Sequence, residues 1–208
     1  MALGTGSRPG TTITPHDLRF DAGRICLDLL ATTHPEERLG SVDVLRAWIV
    51  GSGLVPPGTP LAHADPSWVR EFRELRDLIG QLVAAWLLPA PPGGPVPPYD
   101  HVLLRVNDLA RPAPPAPRAV RRQDGDLVRE LAAPPACGAL LAAVARDAVE
   151  LFTDPAARAC LRQCAGDNCP IVYLDTSRGR RRRWCSSEVC GNRERVARHR
   201  RRAAVARA

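Results

Sequence analysis

Apolar residues recur at three- and four-residue intervals through DPSWVREFRELRDLIGQLVAAWLL, residues 65–88: Val69, Phe72, Leu75, Ile79, Leu82, Val83 and Trp86. Arginines and acids take the opposite side and Pro66 suits a first helical position, so a long amphipathic helix is predicted here. SVDVLRAWIVGSGL, 41–54, repeats the period in Val44, Leu45, Trp48 and Ile49, with Ser41 as N-cap and Gly51 or Gly53 as the stop. YDHVLLRVNDLA (99–110) and ACGALLAAVARDAVELF (136–152) read as two more helices, and Asp154 with Pro155 opens another through AARACLRQC. Two segments break the helical period. RFDAGRICLDLLAT, 19–32, is a short apolar run after a turn and reads as a strand. AVRRQDGDLVREL, 119–131, reads as a hairpin about a type I′ turn at Asp124-Gly125. PAPPGGPVPP (89–98) and RPAPPAPR (111–118) are proline-rich connectors. The pattern predicts an α+β chain: a mobile arm over 1–13, a mostly helical α/β domain over 14–155, and a small module over 156–208, where the composition changes.

That change is one of charge. All 29 basic residues are arginines, and eleven of them fall in residues 178–202 against Glu188 and Glu194, a local net of +9. Residues 1–177 carry 17 arginines and 20 acids. A near-neutral body with a basic end points to a polyanion partner, most often nucleic acid. The plainer reading of charge alone is a solvated arginine-rich end. No stretch reaches the ~18–20 uninterrupted apolar residues of a membrane span, and MALGTGSRPGTT lacks the apolar segment of a signal peptide. A cytoplasmic protein is therefore expected, its seven cysteines reduced and either buried or metal-bound.

Four of those cysteines are spaced Cys164-x4-Cys169-x15-Cys185-x4-Cys190. Two close pairs separated in this way match structural zinc sites, in which four thiolates complete a tetrahedron around one ion. With no coordination position left for water, a zinc hydrolase is excluded. The insert PIVYLDTSRGRRRRW is predicted to form a hairpin: Ile171, Val172, Tyr173 and Leu174 on one strand, a Ser-Arg-Gly turn, and a return strand to Trp184. Ser186 or Ser187 then caps a helix. Knuckle, hairpin and helix, with ligands on the first and last, is the treble-clef plan. Cys160, one helical turn before Cys164, is either a spare ligand or a buried helix position; Cys26 and Cys137 read as core.

The helix that follows carries Arg195, Arg198 and Arg202 on one face and Arg193 and Arg200 beside it, with Val189, Val196 and His199 free to face the hairpin. Clamped at its N-terminal end by the metal, such a helix can enter a major groove or lie along phosphates. Alternation along Arg180–Arg183 sends about half of those side chains outward, making Arg181 and Arg183 further candidate nucleic-acid contacts. Trp184 covers the metal cluster or stacks on a base. Asp28 with His34 and His63 with Asp65 are near in sequence, but neither pair has a nucleophile or metal context, so no enzymatic activity is expected.

LRQCAGDNCPIVYLDTSRGRRRRWCSSEVCGNRERVARHR resembles the CGNR zinc-finger family, whose signature stands here as Cys190-Gly191-Asn192-Arg193, with the D-x-S-R turn (Asp175, Ser177, Arg178) and the R-R-W-C segment also present. Upstream, ICLDLLATTH and VDVLRAWIVGSGL resemble the ABATE domain that usually precedes this finger. Where that family often has L-D-F-x-N-T, this chain keeps Asp28 and Thr32 but replaces the Asn with Ala31. The resemblance implies a bacterial, stress-responsive transcription regulator. Its α/β domain would sense an unknown small ligand, with Asp28 and Thr32 as the candidate pocket, and its finger would bind DNA. A homodimer or a second contact surface is expected if binding is specific, because a lone finger reads few base pairs. The alternative is a structural zinc module that mediates protein or RNA contacts without sequence-specific DNA binding.

Overall fold

The computed structural model describes residues 18–87 and 99–205, with side chains as far as residue 202. The predicted arm (1–13) and the first proline-rich connector (89–98) lie outside the described residues. Residues 19–32, expected as a strand, instead form helix α1 (Ile25–Leu30) and a 3-10 turn (Ala31–Thr33). Periodicity cannot separate a short buried helix from a buried strand. What decides here comes from far along the chain. Asp147 accepts the Cys26 amide (2.9 Å) and pairs with Arg24 (2.8 Å), capping a helix whose own preceding residue offers no cap. Cys26, Leu27 and Leu29 are wholly buried.

Helix α2 (Val42–Gly51) follows the predicted pattern, with the Ser41 hydroxyl accepting the Val44 amide and Trp48 and Ile49 fully buried. Helix α3 (Pro66–Leu87) buries its predicted stripe except Trp86, which is 44% exposed with the Arg158 guanidinium 4.5 Å from its ring centroid. Phe72 of α3 meets Trp48 edge-on at 5.8 Å. Helix α4 (Asp100–Ala110) turns Val102 and Val106 inward. Strands β1 (Pro117–Arg121) and β2 (Leu127–Leu131) pair antiparallel as expected. Their connection is not type I′: Gly125 has positive φ (94°) but Asp124 does not. The Gly125 amide donates to the Arg122 carbonyl and the Arg122 amide to the Asp126 carbonyl, the pattern of a type I turn closed by a glycine bulge. Helix α5 (Cys137–Thr153) runs through the centre, burying Leu140, Leu141, Val144 and Leu151.

The helix expected from Pro155 through Cys164 ends after one turn. Helix α6 (Pro155–Arg158) is capped by Asp154 as predicted, and residues 161–163 then extend into strand β3 (Leu161–Gln163). Cys160 is buried, but not on a helix. Strand β3 pairs antiparallel with β4 (Val172–Leu174), Leu161 opposite Leu174. The apolar stretch predicted to pair with the arginine run thus pairs upstream, and 180–184 forms no strand. A π-helical turn (Ser187–Gly191), capped by Ser186, leads into helix α7 (Asn192–Val205). Ile171, Val172, Tyr173 and Leu174 join the same continuous apolar core as Leu27, Trp48 and Phe72, and the Leu174 amide donates to the Ala22 carbonyl (2.8 Å). The result is an α+β protein whose zinc-finger region is docked on the helical body.

Candidate metal centre and nucleic-acid interface

Pairing of β3 with β4 places Cys164 and Cys169 on either side of a tight knuckle, in which Asn168 adopts a positive φ of 57°. The Ser186-capped turn brings Cys185 and Cys190 to the same point. All four sulfurs lie within 4.8 Å of one another, Cys169 to Cys185 at 3.7 Å and Cys185 to Cys190 at 3.6 Å. A tetrahedral zinc with Zn–S of about 2.3 Å has S–S edges of about 3.8 Å, so the donor set fits one structural zinc ion. The chemistry of the surroundings fits as well. Burial opposes ionisation of Cys164, yet the amides of Cys185 and Gly166, which donate to its sulfur, hold its pKa below the ordinary value. Burial pushes Cys169 up to about 11 and Cys185 higher still, so those two depend on a cation to stay thiolate. Zinc there would hold the knuckle and α7 together and supply no reaction site.

The Arg19 guanidinium donates to the Cys185 sulfur (3.4 Å) while pairing with Asp21. Spacing could not show this contact, since the two residues are 166 apart in sequence. The D-x-S-R turn also gains a physical role. The buried Asp175 carboxylate accepts the Ser177 amide (3.0 Å), the Ser177 hydroxyl (2.6 Å) and the Arg182 amide (3.0 Å), closing residues 175–182 into a loop where a return strand was expected. Those bonds, the one from Ser177 first, hold the Asp175 carboxyl below its usual pKa.

Three of the four arginines of the run, Arg180, Arg181 and Arg183, are exposed, so the expected alternation does not hold through it. Arg181 and Arg183 are exposed, Arg183 lying 5.4 Å from the half-buried Trp184 ring. Arg182 turns inward over Tyr173 (4.6 Å) and donates to the Trp184, Asp21 and Cys185 carbonyls. On α7, Arg193, Arg195, Arg198 and Arg202 are all exposed. Val189 and Val196, expected against a hairpin, are 47% and 43% exposed, and His199 is exposed too, because the hairpin that would have covered them does not form. None of the described α7 side chains is buried.

Asp28 and Thr32, the candidate ligand-pocket pair, are both buried and each is bonded within the body. Asp28 is buried and accepts the Ala22 amide (2.9 Å); burial, and then the charges of Asp21 and Asp147, raise its pKa to about 7. Thr32 donates to the Leu29 carbonyl and accepts from Arg76, which is bidentate on Glu37. Of the other sequence-adjacent pairs, His63 bonds the Pro135 carbonyl and Asp65 caps α3 through Ser67.

A tetrathiolate finger with an arginine-rich terminal helix, docked on a helical body, defines a zinc-finger protein. The body matches the family described as "ABATE: Putative stress-induced transcription regulator" over residues 23–155, and the finger matches the CGNR zinc finger over 160–203. The chain belongs to the ABATE family and carries a CGNR zinc finger. A search of curated proteins finds no match. Among the described residues, no helix is long and apolar enough to cross a membrane.

Proposed function

We propose that this protein is a zinc-dependent, DNA-binding transcription regulator without enzymatic activity, its body responding to stress or to a ligand. One observation carries the reading. Helix α7 is anchored by Cys190 at one end, buries no described side chain, and presents six arginines between residues 193 and 202 against the single acid Glu194. A helix polar all round gains little from packing, so its sequence makes sense against an external anion. The contrast with the body supports this. Arg24, Arg46, Arg76, Arg105 and Arg118 each meet a carboxylate within 3.1 Å, whereas among the described residues the closest such pair on α7 is Arg201–Glu194 at 3.9 Å. Arg181 and Arg183 offer a second basic edge.

Fluorescence anisotropy of the zinc-loaded protein tests the reading, with duplex DNA from its own promoter and scrambled DNA over a range of salt. Tighter promoter binding, with a log–log salt slope of about −0.9 per phosphate neutralised, is the expected result. Equal, weak binding to both would refute sequence-specific regulation and leave a zinc module for protein or RNA contacts.

A further inference from the structure

Helix α7 is not the finger's only basic element. Residues 175–182 form a loop held shut by the buried Asp175 carboxylate, which accepts the Ser177 and Arg182 amides. Its tip is a turn closed by the Arg180 amide on the Ser177 carbonyl (2.9 Å), with Arg178 and Gly179 between them. Arg178, Arg180, Arg181 and, just beyond the loop, Arg183 are all exposed. No ion pair among the described residues involves any of the four. The tip is also built against its own stability. Arg180 takes a positive φ of 48°, where glycine is at ease and a residue with a side chain is strained. Gly179 beside it has no positive φ, and a Cβ there would meet nothing closer than 3.8 Å. The chain thus keeps an arginine where the backbone favours glycine, and a glycine where its own fold accepts a side chain. Bare backbone flanked by two arginines suits close approach to an anionic surface.

The loop lies across a cleft from the turn that leads into α7. Arg181 and Arg183 line this open cleft of about 480 Å³, and Ser187 and Glu188 line it from the turn. The Arg195 guanidinium reaches the same turn from α7, donating to the Ser187 carbonyl (3.3 Å). The acids at the cleft are Asp21, already paired with Arg19, and Glu188. The major groove of B-DNA admits a helix, whereas the minor groove, ~6 Å wide, takes arginine side chains. With α7 in the major groove, a basic tip across a cleft from it meets the neighbouring minor groove over the intervening sugar-phosphate strand.

We propose that the Arg178–Arg180 tip enters the DNA minor groove beside the major groove taken by α7, one sugar-phosphate strand lying in the cleft between Arg181, Arg183 and Ser187, and that it selects A·T pairs. The inference rests on the DNA-binding reading above and gives it a second point of readout. Two properties of DNA set the preference. Runs of A·T narrow the minor groove and strengthen its negative potential, which attracts arginine. The 2-amino group of guanine, absent from A·T pairs, stands on the groove floor where the tip would lie.

The test is fluorescence anisotropy of the zinc-loaded full chain on two short duplexes of one sequence with a central A·T run. In the second, 2,6-diaminopurine replaces the central adenines, adding an amino group in the minor groove and leaving the major-groove edge unchanged. The second duplex is expected to bind roughly tenfold more weakly, within what one mismatched base pair costs. Arg178→Ala and Arg180→Gly each bring the ratio toward one. Arg180→Gly also suits the positive φ, so its Tm does not fall below the parent's. Arg198→Ala weakens binding to both duplexes equally and leaves the ratio unchanged. Zinc content and circular dichroism check that each variant folds. Equal affinity for the two duplexes overturns the proposal with the regulator reading intact, as does a ratio that survives in both Arg178→Ala and Arg180→Gly. Binding to neither duplex overturns both.

Discussion

Asp28→Asn is expected to shift stability toward the variant as pH rises. The parent carboxyl, 8% exposed, has its pKa raised from 3.8 to about 7, chiefly by burial. A raised folded-state pKa means that the folded protein holds the proton more tightly than the unfolded chain. Its contribution to stability is therefore complete below pH 4 and is lost as pH rises to about 7. At about 1.36 kcal/mol per pKa unit the full loss is roughly 4 kcal/mol. Between pH 6 and pH 8 the change is about 1.4 kcal/mol, or some 3–6 °C in Tm for a chain of this length. Asparagine keeps the acceptor for the Ala22 amide but does not titrate. Any constant cost of burying its NH2 group is the same at both pH values and drops out of the comparison. Urea unfolding in excess zinc, followed by circular dichroism at pH 6 and pH 8, measures the difference. Parallel pH dependence in parent and variant would show that the Asp28 carboxylate is stabilised where it sits, and the burial argument would fail.

Cys169→Ser should abolish zinc binding by colorimetric assay and also lower the thermal midpoint of the helical body, because β4 lies in the body's core; an unchanged midpoint contradicts that shared core. Arg195→Ala and Arg198→Ala should each weaken DNA binding with zinc retained, lowering the salt slope by about 0.9 wherever the side chain meets a phosphate. Unchanged affinity would move the contact to Arg181 and Arg183. Arg182→Ala should instead lower Tm, since its guanidinium ties the loop to Tyr173 and three carbonyls; equal Tm values for Arg181→Ala and Arg182→Ala refute that distinction. Leu27→Ala, at a position with no solvent exposure, should cost about 2–5 kcal/mol in urea unfolding.

What the sequence made legible was local. The stripes of α2 and α3 repeat within a few residues, Ser41 and Asp154 cap the helices that begin next to them, and cysteine spacing is a property of the chain itself. The segments misread were decided at a distance. Residues 25–30 are helical because Asp147 caps them from α5 and because α1 buries Cys26, Leu27, Asp28 and Leu29 in succession, which erases the polar face that periodicity needs. The Pro155 helix stops because residues 161–163 pair with β4 across the knuckle. The arginine run forms a loop because a single buried carboxylate, Asp175, takes the amides of Ser177 and Arg182. For the hairpin, the Asp-Gly pair located the turn, but the type I′ geometry read from it does not form, because only Gly125 of the pair takes a positive φ. Asp28 and Thr32, expected from the resemblance as a ligand pocket, are buried and bonded within the body, while a cavity near them is lined by their neighbours Leu30, Ala31, Thr33 and His34. A one-residue offset on a short helix is enough to separate a core position from a lining one.

The contacts around Cys185 bear on how finger and body act together. A zinc bound by four thiolates carries a net charge of −2, and burying that charge is costly unless donors surround it. Two of the donors are backbone amides of the finger, from Cys185 and Gly166. Another is Arg19, from the segment that leads into α1, and Arg19 is itself steadied by Asp21. Arg182 reaches back the other way, to the Asp21 carbonyl. A finger on a slack tether would have to complete its own donor set; this one takes part of it from the body. Displacing the segment around Arg19–Asp21 therefore disturbs both the thiolate cluster and the loop that presents Arg181 and Arg183.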